Sequence, residues 1–180
     1  MRAGGALLLL LLCFASCEDR VRPPVSMTTG QQMPDQESWN SQVVFSDSGS
    51  VRAVLDAAHI RMYEERRETL LDSGLVVNFY DRDGKHSSRL TSDRGTVNDQ
   101  TRDLEAFDNV VFTSDSGTVV KTDYLFWDNA KKKVRSDRFV TVTSPKERLQ
   151  GYGFEADQGL KNYVVYRVSG EAQVHEKVKQ

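Results

Sequence analysis

From Val43 onward, apolar runs alternate with short polar turns. Val43-Val44-Phe45 is closed by Ser46-Asp47-Ser48-Gly49 and followed by Val51 to Leu55. Leu75 to Tyr80 is closed by Asp81-Arg82-Asp83-Gly84, and Val110-Val111-Phe112 by Ser114-Asp115-Ser116-Gly117. Phe139 to Thr143 runs into Ser144-Pro145. β-Branched and aromatic runs punctuated by Gly, Asp, Ser or Pro predict hairpins. The pattern is also periodic. Leu70, Leu104, Val134 and Val168 stand 34, 30 and 34 residues apart, and a valine follows each by six residues: Val76, Val110, Val140 and Val174. Tyr63, Val97 and Trp127 precede the first three by seven; in the fourth copy Lys161 takes that place beside Leu160. A repeat of this length marks a meandering or stacked architecture.

A helix competes over Ala53 to Leu71, where Leu55, Ala58, Met62 and Leu70 are loosely spaced. The repeat favours strands, because Tyr63 and Leu70 align with Val97/Leu104 and Trp127/Val134 around polar turns at 64–69, 98–103 and 129–133. The expected fold is all-β, an open meander or jelly roll of repeated antiparallel hairpins. A row of hairpins leaves a free edge at each end, available to a partner's strand. Val51 to Leu55 and Gly170 to Val174 are the edge segments this reading selects, with Val51, Leu55, Gly170 and Val174 as contact positions.

The start of the chain changes the picture. Arg2 and the apolar run Leu7 to Leu12, continued by Cys13, Phe14 and Ala15, are too short for a membrane-spanning helix. They fit a signal segment over residues 1–16. The run ends Phe14-Ala15-Ser16-Cys17, small residues before a cysteine, which resembles a lipobox; Cys17 is then the lipidated first residue of the mature chain. A plain cleavable signal with a chance cysteine is one alternative, and an uncleaved anchor, which the short run disfavours, is another. Two or three acyl chains anchor stably where one does not. Residues 17–42 hold Pro23, Pro24 and Pro34 among Ser, Thr and Gln and read as a tether, with Trp39 as the exception. Residues 43–180 form the domain. With Cys13 lost and Cys17 acylated, no disulfide pair remains.

Net charge is −2 with both signs interspersed, so nothing suggests a nucleic-acid partner. Candidate catalytic groups are few. His59, His86 and His175 have no triad, zinc or phosphate-loop motif around them. Asp56 and His59, three apart on a strand, should face opposite sides. Asp81-Arg82-Asp83-Gly84 matches the first half of a calcium loop, but the closing glutamate is missing. No enzyme, cofactor or metal is expected. Gly151-Tyr152-Gly153 inside a strand-rich region points to a bend or close backbone approach. Val76, Val97, Leu104, Val110, Phe112, Val140 and Val142 are either the core of a dry sandwich or the walls of a groove for a lipid. A carrier must supply such walls, because each exposed CH₂ costs about 0.8 kcal/mol. The alternative is a structural or adhesive envelope lipoprotein with no groove.

The ordered segments Thr91-Ser92-Asp93-Arg94-Gly95-Thr96-Val97, Lys121-Thr122-Asp123-Tyr124-Leu125-Phe126-Trp127-Asp128 and Leu149-Gln150-Gly151-Tyr152-Gly153-Phe154 resemble the LptC family. That family is the periplasmic, membrane-attached component of lipopolysaccharide export, and the resemblance spans about residues 40–174. It implies a twisted open β-jelly roll through which lipopolysaccharide moves by its acyl chains. One edge docks on the inner-membrane ABC exporter, and the C-terminal edge pairs with a periplasmic bridge protein of the same fold. It also implies no hydrolysis by this chain, the energy coming from the exporter's ATPase. Better-known members of the family carry an N-terminal transmembrane helix. Here a lipobox-like Cys17 stands in its place, and the resemblance puts that anchor on the periplasmic face of the inner membrane.

Overall fold

The structure, a computed structural model, describes residues 32–169. Ten strands run in chain order: β1 Gln36–Asp47, β2 Ser50–Tyr63, β3 Glu68–Tyr80, β4 His86–Ser92, β5 Arg94–Asn98, β6 Leu104–Ser114, β7 Val119–Asp128, β8 Lys133–Thr143, β9 Arg148–Asp157 and β10 Tyr163–Val165. All pairings are antiparallel within one sheet, in spatial order β1-β2-β3-β4-β6-β7-β8-β9-β10, with β5 also between β3 and β6. β4 and β5 are thus two halves of one strand, broken at Asp93. Among the described residues the path does not close, so β1 and β10 are free edges there, as an open jelly roll requires.

The sheet is folded over its own inner face. β3 and β9 are five strand spacings apart, about 24 Å if the sheet were flat. Yet Gln158, just after β9, donates from Nε2 to Tyr80 O at 3.1 Å and to Ser87 Oγ at 3.1 Å. Ser88 Oγ donates to Gln158 O at 2.8 Å. Phe79 on β3 lies 4.9 Å from Trp127 on β7 and 5.9 Å from Phe112 on β6, ring centre to ring centre. A single sheet thereby builds its own sandwich.

The fold is made possible by a row of bends across the strands. Buried positions alternate by two along each strand, then skip. On β3 they run Thr69, Leu71, then Leu75, Val77 and Phe79; on β6 Leu104, Ala106, then Val110 and Phe112; on β8 Val134, Ser136, then Val140 and Val142. Pairing registers shift at the matching places, between Phe107 and Val110, Thr122 and Phe126, and Ser136 and Phe139. Ser73, Asp108 and Asn109 have φ of 63°, 61° and 50°, and Gly74 and Gly153 have 98° and 91°. Such bulges bend a strand and free backbone groups from the ladder.

Buried hydroxyls and acids capture those groups. Thr122 Oγ1 donates to Phe139 O at 2.9 Å, Ser136 Oγ accepts from Arg138 N at 3.1 Å, and Ser92 Oγ donates to Arg94 O at 3.0 Å. Gly74 N donates to Asp93 O, and Asp93 N to Asp108 O. Asn109 Nδ2 donates to Asp93 Oδ2 at 2.6 Å and Arg94 Nε to Asp108 Oδ2 at 2.7 Å. The result is a polar stitch from strand to strand with no buried side-chain polar atom left unpaired among the described residues.

Several expectations are corrected. The Ala53–Leu71 region is strand, turn and strand, not helix. The tether does not reach Gln42: β1 begins at Gln36, pairing Gln36 with Met62. Its polar content reflects an edge strand exposed on both faces. For the same reason Val51 and Leu55 are not edge residues. They lie on β2, which β1 covers, and Leu55 is fully buried. The first repeat is out of phase by one residue. Thr69 and Leu71 face inward, so Leu70 and Val76 face out, since a one-residue slip reverses every side chain. Residues 1–16, Cys17, Gly170 and Val174 lie outside the described residues.

Gly151 marks a close approach. The chain beyond β10 returns along β9, with Tyr166 N donating to Gly153 O at 2.9 Å and Ser169 N to Gln150 O at 2.9 Å. A Cβ on Gly151 would sit 2.6 Å from Tyr166 O and 2.8 Å from Val165 Cγ1. Gly151→Ala should therefore lift residues 165–169 off β9, seen as faster hydrogen exchange at the Tyr166 and Ser169 amides; unchanged protection would contradict the contact. Thr122→Val preserves shape but leaves Phe139 O unpaired at a bend. It should destabilise by about 1–2 kcal/mol in urea unfolding, and an unchanged midpoint would show that the hydroxyl is dispensable.

Candidate functional site

Bending brings two sets of inner-face side chains opposite each other, and between them lies a cavity of about 320 Å³. Leu55, Val77 and Phe79 form one wall; Val97, Leu104 and Trp127 form the other. Phe45 and Ala53, half-buried on β1 and β2, make a lip at the edge of the sheet. The walls come from strands on either side of the bend row, so the cavity exists only in the folded sheet. Its volume is near the lower end of the roughly 300–1,000 Å³ that small-ligand pockets occupy. Its walls suit a hydrocarbon chain.

The mouth is held by turns tied to one another. Asp99 N donates to Arg67 O at 2.9 Å, and Thr69 Oγ1 to Asp99 Oδ1 at 2.8 Å. Asn129 N donates to Asp103 Oδ1 at 2.8 Å and its Nδ2 to Thr101 O at 3.1 Å. Three hairpin ends are thus hydrogen-bonded into one rim.

The sequence-selected groove residues divide into three groups. Val97 and Leu104 line the cavity. Val110, Phe112, Val140 and Val142 are buried in the closed interior, packed as core rather than as cavity wall. Val76 faces the outside. Phe45, Val77 and Trp127 complete the walls. Trp127 carried a signal in the repeat, whereas nothing in the spacing marked Phe45, because the facing strand is distant in sequence.

Neither histidine within the described residues builds a catalytic site. A register shift between Ala57 and His59 puts Asp56 and His59 on the same outer face, against the expected alternation. They still serve different partners: Gln42 Nε2 bonds Asp56 Oδ1, while His59 Nε2 meets Glu37 Oε1 at 2.7 Å and its ring stacks on Trp39 at 5.3 Å. This pins the edge strand β1 to β2. His86 pairs with Asp115 beside a turn. Asp81 Oδ1 accepts from the Asp83 and Lys85 amides, which is turn geometry rather than a calcium site. Burial, then a bond to Glu105, push the Tyr124 phenol up to about 12, so it stays a protonated donor. Among the described residues no group of three or more His, Cys, Asp or Glu could hold a metal. Nor, among them, is any helix long and apolar enough to cross a membrane.

Both sheet edges expose apolar side chains. On β1, Trp39, Val43 and Val44 are exposed beside a backbone that is unpaired among the described residues. At the other end, Val164, Tyr166 and Val168 are exposed along β10 and its continuation, with Tyr152 beside them on β9.

The family described as "Lipopolysaccharide-assembly, LptC-related" matches residues 7–170. No curated protein matches the chain. Among solved structures, the chain is similar to LptH of Pseudomonas aeruginosa, described as the LptA-homologous periplasmic component of the conserved lipopolysaccharide transport device. The TM-score is 0.53 at 12% identity, over 71% of this chain and 90% of that one. That likeness shows the shared open β-jelly roll. With nearly its whole length matched by the family, the chain belongs to the LptC-related lipopolysaccharide-assembly proteins and is a component of lipopolysaccharide transport.

Proposed function

We propose that this chain is a non-catalytic carrier that takes lipopolysaccharide from an inner-membrane ABC exporter and passes it to a periplasmic bridge protein of the same fold. The acyl chains lie in the cavity between the two halves of the bent sheet. The observation that carries this reading is an apolar cavity inside a sheet whose two edges are both unpaired among the described residues. Each CH₂ moved from water to those walls contributes about 0.8 kcal/mol, enough to hold an acyl chain without any polar recognition. An open edge can accept a strand of another sheet, which would join two grooves end to end. The C-terminal edge at β10 is assigned to the bridge protein and β1 to the exporter. Family membership supports the transport role; the individual partners are part of this proposal.

The chain is held at the periplasmic face of the inner membrane by lipid on Cys17. Support for this comes from the apolar run ending in Ala15-Ser16-Cys17. Cys17→Ser should release the protein from membranes in fractionation. Full retention of the variant in the membrane pellet would refute the anchor.

A photo-reactive residue at Leu104, on the cavity wall, should capture lipopolysaccharide in cells in a manner that depends on the exporter's ATPase. The same residue at Val76, on the outer face, should capture none. Equal capture at both positions, or none at Leu104 in a stably folded protein, would rule out the internal groove.

A further inference from the structure

The mouth of the cavity carries charge that acyl chains do not need. Arg52, Arg102 and Lys132 all line it, and among the described residues Asp47 is its only acidic lining residue. The chain as a whole has an acidic excess, with a net charge of −2. Arg52 donates from Nη1 to Asp81 O at 2.7 Å, and Lys132 Nζ to Asn129 Oδ1 at 2.8 Å. Both partners are neutral, and both cations keep donors to spare. None of the three cations forms an ion pair among the described residues, although six other Lys or Arg side chains pair with carboxylates there. Nearby carboxylates are engaged elsewhere: Asp99 by Thr69, Asp103 by Asn129 and Asp128 by Lys131.

Their placement follows the repeat. Arg102 and Lys132 hold matching positions in consecutive hairpins, two residues before Leu104 and Val134, with φ of 61° and 55°. That left-handed conformation favours Gly or Asn, so the turn itself does not call for a cation. The repeat thus sets two unpaired cations at the rim while the next inward residue of the same strand, Leu104 in the first case, becomes cavity wall. Arg52 faces them from β2, where it neighbours Ala53 of the lip.

We propose that Arg52, Arg102 and Lys132 form an anion subsite that holds a phosphate group of an amphiphile whose acyl chains occupy the cavity. This rests on the groove reading above and adds to it a site for the headgroup. The subsite acts as an orienting contact: hydrocarbon supplies affinity in the interior, and the charged rim fixes which end of the lipid faces out. Partly exposed charge pairs each contribute modestly and weaken with salt.

The test uses the full-length chain and three probes: diphosphoryl lipid A, its dephosphorylated counterpart with identical acyl chains, and phosphatidylglycerol. The wild type should bind the diphosphoryl form roughly three- to tenfold more tightly than the dephosphorylated one, a gap that narrows at high salt. In Arg102→Gln/Lys132→Gln the gap should close while affinity for the dephosphorylated probe is unchanged. Arg102→Lys should retain most of it. Both side chains are exposed, so the double variant should fold, as circular dichroism and unfolding would verify. A gap that persists in the double variant, or its absence in the wild type, overturns the subsite and leaves the groove intact. If folded wild type binds none of the probes, the groove falls and the subsite with it. Phosphatidylglycerol bound with the same dependence on Arg102 and Lys132 assigns the subsite to phosphate esters generally. Its failure to bind so assigns the subsite to the lipid A phosphates.

Discussion

The whole arrangement depends on how the backbone is satisfied where the strands bend. A long antiparallel sheet bent sharply must break ladder hydrogen bonds along the bend, and each freed group would be costly in a dry interior. Here Ser92, Thr122 and Ser136 sit at the bend with buried hydroxyls, each bonded to a backbone group near the break. Each is followed by an aspartate: Asp93, Asp123 and Asp137. Asp93 and Asp108 join neighbouring strands through backbone and side-chain bonds. The Ser/Thr hydroxyls therefore serve the bend, and two of the three pairs, Ser92-Asp93 and Thr122-Asp123, lie in the segments through which the chain resembles its family.

Once the sheet bends, its other properties follow. Strands that are far apart along the sheet meet face to face, so Phe79 reaches Trp127 and Gln158 reaches Tyr80. Most of the enclosed space is filled by Phe112, Val120, Val140, Val142 and their neighbours, which are completely buried. Space remains toward the rim formed by the turns near residues 99–102 and 129–132, where Val97, Leu104 and Trp127 stand opposite Leu55, Val77 and Phe79. A bent open sheet differs from a barrel in keeping both edges. It can hold a ligand inside and add strands outside at the same time, which is the combination a relay between membranes needs.

The division between core and cavity is one of position, not residue type. Val140 and Val97 are equally apolar, yet one is packed on every side and the other borders open space. The edges show the same principle. Val51 looks like an edge valine until β1 is seen to cover its strand, and the polar segment 36–42 looks like linker until its backbone is seen to pair with β2.

The sequence by itself determined the strand content, the hairpin repeat, the polar turns and the absence of catalytic motifs, because alternation and turn chemistry are local properties of the backbone. It also pointed to the glycines at 151 and 153, where a side chain would collide with Tyr166, and to the family, through ordered motifs. The structure decided what depends on distant partners. The first repeat runs one residue out of phase on both sides of its bulge, with Thr69 and Leu71 before it and Leu75 and Val77 after it facing inward, which spacing alone cannot reveal. Which valines became walls, which strand became the edge and which cations came to line one cavity were set by folding one sheet onto itself. That step brings residues from separate hairpins together, and no periodicity along the chain encodes a distance across it.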